Sequence, residues 1–288
     1  MDLSLCILSF NTCADLENTL RAARAAVHGL AAELIVVDNG SRDGSVAMLR
    51  EEFPEARLVE NPENRFFSAA TNQALAIATG RYILNLNSDV TLLPGAVEEM
   101  TGYLGFHSDV GAVTGRMTYP DGQLQRTCAQ FSSFPYFLLE HTFLGLILNG
   151  RARKLRQATC YGEWDRSTAR QVDVLPGSFI MTRREVLLSV GGHDERFRLY
   201  FSDDDWCNRL SRAGFRAVYL PTACGIHQEG ASTRQLGRLA RRIFFEDMIA
   251  YAAKYFGRWP ARWLWLLCWP SRLGRELKAT LSRTERRT

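Results

Sequence analysis

The run Tyr82-Ile83-Leu84-Asn85-Leu86-Asn87-Ser88-Asp89 constrains this chain more than any other stretch. Six mostly apolar residues without strict alternation read as a strand buried on both faces, the pattern of a parallel sheet. Such strands need helices over both faces, which commits the chain to an α/β architecture. The rest of the first 120 residues agrees. Predicted strands at 3–10, 33–38, 56–60, 81–87 and 110–118 alternate with predicted helices at 15–28, 44–53, 68–79 and 94–105.

Open α/β sheets bind ligands just past the carboxyl ends of their strands, so polar residues there carry weight. A carboxylate at Asp89 can hold a hard divalent cation, and through it a diphosphate. The plainer reading makes Asp89 a helix cap. Pro94 opposes it: proline favours the first helical position, which would make Leu93 the cap, well past Asp89. Asp38 closes the strand Glu33-Leu34-Ile35-Val36-Val37-Asp38 and precedes Asn39-Gly40-Ser41-Arg42-Asp43-Gly44-Ser45. Its carboxylate could accept a hydrogen bond from the imide N–H of a pyrimidine base, or close an Asx turn in its own loop; spacing does not choose. Ser41 or Asp43 can cap the helix that follows.

Residues 121–170 break the alternation. They hold an apolar stretch over 131–148, expected as a covering helix, and the basic cluster Arg151-Ala152-Arg153-Lys154-Leu155-Arg156. Strands are expected again at 171–175, 177–182, 215–220 and 223–227, with helices from 183 and over 204–213. In Asp203-Asp204-Asp205 one carboxylate suffices to cap the helix, and three in a row repel one another. Arg209 can pair with Asp205 at i, i+4. That leaves Asp203 or Asp204 available as a general base, a role worth ~10²–10⁴-fold in rate; a solvated acidic turn is the plainer alternative. His227 ends a predicted strand, as Asp89 nearly does, which singles it out as a ligand candidate over His28, His107, His141 and His193.

These residues converge on a family. Ser9-Phe10-Asn11, Val37-Asp38-Asn39-Gly40-Ser41, the segment from Asn64 to Gln73 and Leu86-Asn87-Ser88-Asp89 resemble, in this order, the family 2 inverting glycosyltransferases of GT-A fold. Gly177-Ser178-Phe179, Gly191-Gly192-His193-Asp194-Glu195-Arg196-Phe197, Tyr200-Phe201-Ser202-Asp203-Asp204-Asp205 and His227 with Ser232 look closer still to the bacterial rhamnosyltransferase-like branch. The resemblance spans about residues 3–233. It implies a mostly parallel central sheet flanked by helices. It also implies a nucleotide and donor pocket formed by Ser9, Phe10, Asn11, Asp38, Asn39, Asn64, Asn72, Asn87 and Ser88, with Asp38 on the base. Asp89 and His227 would bind a divalent metal, Mg²⁺ or Mn²⁺. Asp203 would be the catalytic base, and Gly177, Asp204 and Asp205 would lie on the acceptor side. Four positions depart from the family pattern: Asn87 replaces its first metal-motif Asp, Phe66 and Ala74 replace glycines, and Ser202 replaces a Glu beside the base. A bulky residue adopts positive φ only at a cost, so the loop at Phe66 is expected to run differently.

Composition sets the remaining bounds. The net charge of +4 hides an asymmetry, since residues 234–288 carry 13 Lys/Arg against 4 Asp/Glu. Such a tail seeks an anionic partner. Trp259, Trp263, Trp265 and Trp269 alternate there with Arg258, Arg262 and Arg272, which suits an amphipathic helix in a bilayer interface; packing of the Trp face on the body is the alternative. No helix-turn-helix or single-strand-binding pattern accompanies the basic residues, so no nucleic-acid partner is expected. Seven scattered cysteines without a Cys-x-x-Cys pair argue against disulfides and structural zinc. With no basic leader and no apolar run of ~18 residues, a cytoplasmic protein, peripheral on the inner membrane face, is expected. No Gly-x-Gly-x-x-Gly follows the first strand, which weakens an oxidoreductase reading.

The resemblance implies a glycosyltransferase domain over 1–233, and the tail pattern predicts an amphipathic helical segment over 234–288. Within the domain, 1–120 is the nucleotide-sugar half, 121–170 a helical insertion and 171–233 the acceptor and catalytic half. The expected reaction moves a sugar, rhamnose foremost, from a dTDP- or UDP-linked donor to a saccharide or polyprenyl-diphosphate-linked acceptor in surface-polysaccharide synthesis. The competing reading, resting on Phe66, Asn87 and Ser202, is a catalytically degenerate module that serves as a membrane-tethered scaffold.

Overall fold

The computed structural model describes residues 1–269. They form two compact units: Met1–Ala129 with Asp165–Asp247, and Gln130–Trp164 with the described residues from Met248 onward. This division departs from the expected boundaries at 121, 170 and 234.

The first unit opens with β1 (Leu3–Ser9), α1 (Cys13–Ala26), β2 (Ala32–Asp38), α2 (Ser45–Glu52), β3 (Arg57–Glu60), α3 (Phe66–Ile77) and β4 (Tyr82–Asn87). A short β5 (Val90–Leu92), α4 (Ala96–Phe106) and β6 (Val110–Thr118) follow. The chain then builds α5 (Phe134–His141), α6 (Leu144–Ile147) and α7 (Asn149–Thr159) in the second unit. It returns as β7 (Arg170–Val172), β8 (Phe179–Arg183), α8 (Arg184–Val190), α9 (Ser202–Arg212), β9 (Arg216–His227), α10 (Thr233–Leu236) and α11 (Arg238–Tyr255).

One sheet holds all these strands in the order β3-β2-β1-β4-β8-β6-β9-β5, with β7 also on β9. β1 to β4 are parallel, as the apolar runs predict. β8 runs antiparallel between β4 and β6, and β5 and β7 run antiparallel to β9, so the sheet is mixed. Leu16, Leu20 and Ala23 recur at helical spacing on α1 and share the main core with Leu3, Leu5 and Ile7 of β1. Each such side chain contributes roughly 1.5–3 kcal/mol by leaving water.

Register positions the site. β1 pairs Ser9 with Asp38 and Leu8 with Asn87, which aligns the three strand ends in one row. β5 pairs Val90 with His227, bringing Asp89 beside the histidine. The two strands expected at 215–220 and 223–227 are one strand, β9. Its register against β6 jumps from Gly115–Leu220 to Arg116–Cys224, a bulge that accommodates Pro221. A Cβ at Gly115 would lie 2.0 Å from the Ala223 carbonyl oxygen, so the bulge requires glycine there. α4 starts at Ala96, after Gly95 at φ +83°, rather than at Pro94. Either way Asp89 caps no helix.

In the second unit the core gathers around Phe137, whose ring meets Tyr251 at 5.7 Å and Phe256 at 5.9 Å. A helix over 258–269 buries Ala261, Leu264 and Cys268. The expected helix over 235–256 is interrupted at Gly237, and the part of the expected 261–281 helix beyond 269, with Arg272, lies outside the described residues. No helix among the described residues is long and apolar enough to cross a membrane.

Candidate active site

The carboxyl ends of β1, β2 and β4 open onto a cavity of about 430 Å³. Leu8, Phe10, Asn39, Asn87, Ser88 and Asp89 line it from the strand side. Asn64, Phe66 and Phe67 close another wall, and Tyr200, His227 and the loop from Glu229 to Thr233 complete it.

Asp89 is buried, with Oδ1 3.4 Å from His227 Nε2. Gln125 decides what that contact means. Its Nε2 donates to the His227 carbonyl at 2.7 Å, which fixes the amide, and its Oε1 then accepts from His227 Nδ1 at 2.9 Å. In the neutral imidazole this tautomer turns the Nε2 lone pair toward a carboxylate oxygen. Two acceptors converging this way suit a cation between them. Asp15 is near enough that, after desolvation, the charge of Asp89 also raises its carboxyl. Among the described residues no group of three or more His, Cys, Asp or Glu could hold a metal alone. The donor set instead fits the Mg²⁺ type of site, where one or two protein ligands share the ion with substrate phosphates.

The loop after β2 commits one oxygen of Asp38 to the Asx turn and leaves the other unpaired. Oδ1 closes the Asx turn, accepting from Gly40 N at 3.1 Å and Ser41 N at 2.9 Å. Oδ2 is buried with no hydrogen-bond partner. Leaving such an atom unpaired costs about 1–3 kcal/mol, and an added N–H donor would remove that cost. Asp43 accepts from Cys13 N of α1 at 2.8 Å and from Ser45 N of α2 at 3.1 Å, tying two helix starts together.

Several predicted donor residues build the wall. The Asn39 amide donates to Asn64 Oδ1 at 2.8 Å and to the Phe66 carbonyl at 3.2 Å, and its oxygen accepts from Arg65 N at 2.9 Å. Ser9, Thr12 and Ser88 form a hydroxyl chain with spacings of 3.1 and 2.7 Å. Asn11 accepts from Arg42 N at 2.7 Å. Asp38, Ser9 and Asn11 thus stand behind the lining. Asn72 lies away from the cavity: its amide donates to the His193 carbonyl at 2.9 Å and accepts from His193 N at 2.7 Å. A Cβ at Gly192 would sit 2.5 Å from Asn72 Oδ1, so a larger residue there would displace the Asn72 amide.

Asp203 and Gly177 do not line the cavity, and Asp203 is linked to it through Gly177. Its Oδ2 accepts from Gly177 N at 3.1 Å, and the Ser178 carbonyl accepts from Asn87 N at 3.0 Å. The chain of contacts therefore runs from Asp203 to the strand end that carries Asp89. Desolvation raises the Asp203 carboxyl above the usual range. Asp204 is pushed up to about 8, first by desolvation and then by the Asp203 charge. Asp205 is different: it pairs with Arg209 Nε at 2.9 Å, and that guanidinium also donates to the Val190 and Gly192 carbonyls. Its carboxylate holds the loop before α9.

Backbone strain clusters around the cavity. Asn11, Phe66, Phe201 and Glu229 all adopt φ between +50° and +63°. Phe66 corrects the expectation for its loop, because it takes the left-handed conformation that a glycine would take. Phe66 N donates to Asn64 Oδ1 at 2.8 Å, and the Arg198 guanidinium lies over its ring at 5.7 Å, which together hold it there. Such conformations cost about 1–3 kcal/mol each and persist at sites that the surroundings over-determine.

Gln125, Asp15, Tyr119 and Asp247 carry no sequence signal that singles them out, and His193 stands only within its motif. Tyr119 donates to Glu229 Oε2 at 2.6 Å. Asp247, buried and raised by desolvation, accepts from Leu199 N at 2.9 Å and Tyr200 N at 3.1 Å, fixing the loop that brings Tyr200 to the cavity. His193 is lowered to about 4 by burial and packs edge-on against Phe67.

The class the fold defines is a mixed α/β protein with its ligand cavity at the carboxyl ends of parallel strands. Residues 4–191 match the model of glycosyl transferase family 2, and the chain belongs to that family. It is similar to the N-acetylglucosaminyl-diphospho-decaprenol L-rhamnosyltransferase of Mycobacterium tuberculosis, 27% identical over 246 residues that cover 80% of this chain and 78% of that protein. A shorter likeness is to rhamnosyltransferase WbbL of Escherichia coli, 34% identical over 83 residues, 29% of this chain and 31% of that one. Among solved structures, mannosyltransferase PcManGT from Pyrobaculum calidifontis, in complex with GDP-Man and Mn²⁺, shares the fold. The TM-score is 0.57 at 17% identity, covering 97% of this chain and 80% of that chain.

Proposed function

We propose that this family 2 glycosyltransferase is an inverting, divalent-metal-dependent enzyme. It moves a hexose or deoxyhexose, rhamnose foremost, from a dTDP- or UDP-linked donor to a saccharide acceptor in cell-surface polysaccharide synthesis. The observation that carries this reading is the Asp89–His227 pair, 3.4 Å apart on the cavity wall and joined by backbone contacts to Asp203. The rhamnosyltransferase names of the M. tuberculosis and E. coli relatives support rhamnose, and the decaprenol-linked substrate in the first name supports a polyprenyl-diphosphate-linked acceptor. An acceptor of that kind places the enzyme on the cytoplasmic face of the membrane, as a peripheral protein.

In this account Asp38 Oδ2 accepts the imide N–H of the base, while Phe10, Asn39, Asn64, Asn87 and Ser88 border the donor. Asp89 and His227 would hold the cation, which supplies Lewis-acid stabilisation to the departing diphosphate. Asp203 takes the proton of the acceptor hydroxyl as that oxygen attacks the anomeric carbon. The bond from that carbon to the diphosphate breaks on the opposite face, its electron pair leaves with the nucleoside diphosphate, and the configuration inverts. A carboxyl raised by desolvation is a stronger base near neutral pH than an exposed one. One observation weighs against the degenerate-module reading: Phe66 keeps the left-handed backbone of a glycine.

A transfer assay with a panel of nucleotide sugars tests the proposal. Asp203→Asn is expected to lose about 10²–10⁴-fold in rate while still binding nucleotide. Full activity in that variant would remove Asp203 from the role of base.

A further inference from the structure

The second unit carries an exposed surface that the transfer reaction does not use. Helix 258–269 buries Ala261, Leu264 and Cys268 at spacings of three and four. The opposite arc leaves Trp259 70%, Trp263 60%, Trp265 47%, Leu266 52% and Trp269 54% exposed. An aromatic side chain offers about 150–250 Å² for burial, so this arc leaves several hundred Å² of apolar surface in water. A patch of that scale marks an interaction site. Cys268 Sγ contacts the His141 carbonyl at 3.5 Å, which sets the end of this helix against the end of α5. The chain leaving α5 then exposes Leu146 by 84% and Ile147 by 70%, where a covering helix was expected.

Charge narrows the occupant. Arg258 and Arg262 share the exposed arc with the tryptophans, and the Arg262 guanidinium lies over the Trp259 ring at 5.0 Å. Arg151, Arg153 and Lys154 are exposed on α7. Neither 143–159 nor 258–269 contains an Asp or Glu. A second copy of the chain would bring the same positive charge against itself. Tryptophan with arginine on a helix unable to span a bilayer is the composition of an interfacial helix, and anionic headgroups complete its charge.

We propose that residues 143–148 and the exposed arc of helix 258–269 together form a surface that inserts into the interface of an anionic lipid bilayer. The surface stands on these side chains alone and goes beyond the proposed reaction, assigning membrane contact to a segment outside the tail as well as to the tail.

The test sediments the full chain with phosphatidylcholine vesicles, with and without phosphatidylglycerol, at low and high salt. Binding to the anionic vesicles is expected, weakened by salt, with tryptophan fluorescence quenched by brominated lipid. The double variants Trp259→Ser/Trp263→Ser and Leu146→Ser/Ile147→Ser should each lower partitioning by about tenfold or more. Both should keep the wild-type melting temperature and the wild-type rate of nucleotide-sugar hydrolysis without acceptor. That hydrolysis reports on the donor site separately, so failure of the lipid surface and failure of the proposed reaction are distinguishable. The proposal is overturned if the chain stays in the supernatant with both vesicle types, or if neither double variant changes partitioning. A dimer formed without lipid and dissolved by the Trp variant would also overturn it.

Discussion

In the first unit Asp38, Asp89, Asp205 and Asp247 are buried, while in the second Trp259, Trp263 and Trp269 stand more than half exposed. Both arrangements run against ordinary partitioning, in which charge faces water and large apolar groups leave it. The difference between them is instructive. Asp205 and Asp247 are answered within the protein, by Arg209 in one case and by backbone N–H groups in the other. Asp38 Oδ2 has no hydrogen-bond partner, and Asp89 Oδ1 faces His227 Nε2 at 3.4 Å. The second unit lacks an apolar cover instead. Under the two proposals the complements are a nucleoside diphosphate with metal in one unit and a lipid interface in the other.

Variants can break this contrast. The largest effect on stability is expected from Asp247→Ala, which removes the acceptor for Leu199 N and Tyr200 N and leaves Arg198 without its buried neighbour. Unpaired buried donors of this kind cost about 1–3 kcal/mol each, so urea unfolding should show a loss of roughly 2–4 kcal/mol. A loss under about 0.5 kcal/mol would mean that the carboxylate does not organise the Tyr200 loop.

Gln125→Leu comes next. It deletes both hydrogen bonds to His227 while keeping an apolar side chain of similar length. Loss of such an orienting partner costs about 10–100-fold in metal affinity, to be read from Mn²⁺ titration in the presence of nucleoside diphosphate. An unchanged affinity would show that His227 needs no fixed tautomer.

A smaller effect concerns pH. Asp204 is raised to about 8, whereas an unfolded aspartate titrates near ~4. Between those values the native state binds the extra proton, so this group's contribution to stability falls as pH rises through the window. Asp204→Asn should therefore flatten the loss of melting temperature between pH 5 and pH 8, at roughly 2–4 °C for each kcal/mol recovered. An unaltered pH slope would contradict the desolvated acid pair. The smallest change in stability is expected at the exposed helix, where Trp263→Ser should stay within about 0.5 kcal/mol of wild type in denaturant. A cost above 2 kcal/mol would mean that the tryptophan is packed in solution.

Much of the strand side of the cavity was legible in the sequence because its signals are local. The runs ending at Asp38 and Asn87 identify parallel strands, and parallel pairing with β1 then puts Ser9, Asp38 and Asn87 in one row. What was not legible arrives across long separations. Gln125 meets His227 over 102 residues, and Asn72 meets His193 over 121, through contacts that no local pattern encodes. β5, at three residues, is too short to show alternation, and the β9 bulge at Pro221 read as a break between two strands. Phe66 misled because steric preference alone ignores the hydrogen bond to Asn64 and the Arg198 contact that hold it. The tryptophans of helix 258–269 showed their amphipathic spacing in sequence, but only burial distinguishes a face turned to solvent from one turned to a core.

The most direct test of the account is calorimetry of dTDP and UDP binding, with Mn²⁺ or Mg²⁺ and with chelator, on the wild-type chain and on Asp89→Ala. The account predicts nucleotide binding that requires the cation and weakens by at least about tenfold in the variant. Binding of equal strength in chelator, or in Asp89→Ala with metal present, would contradict it.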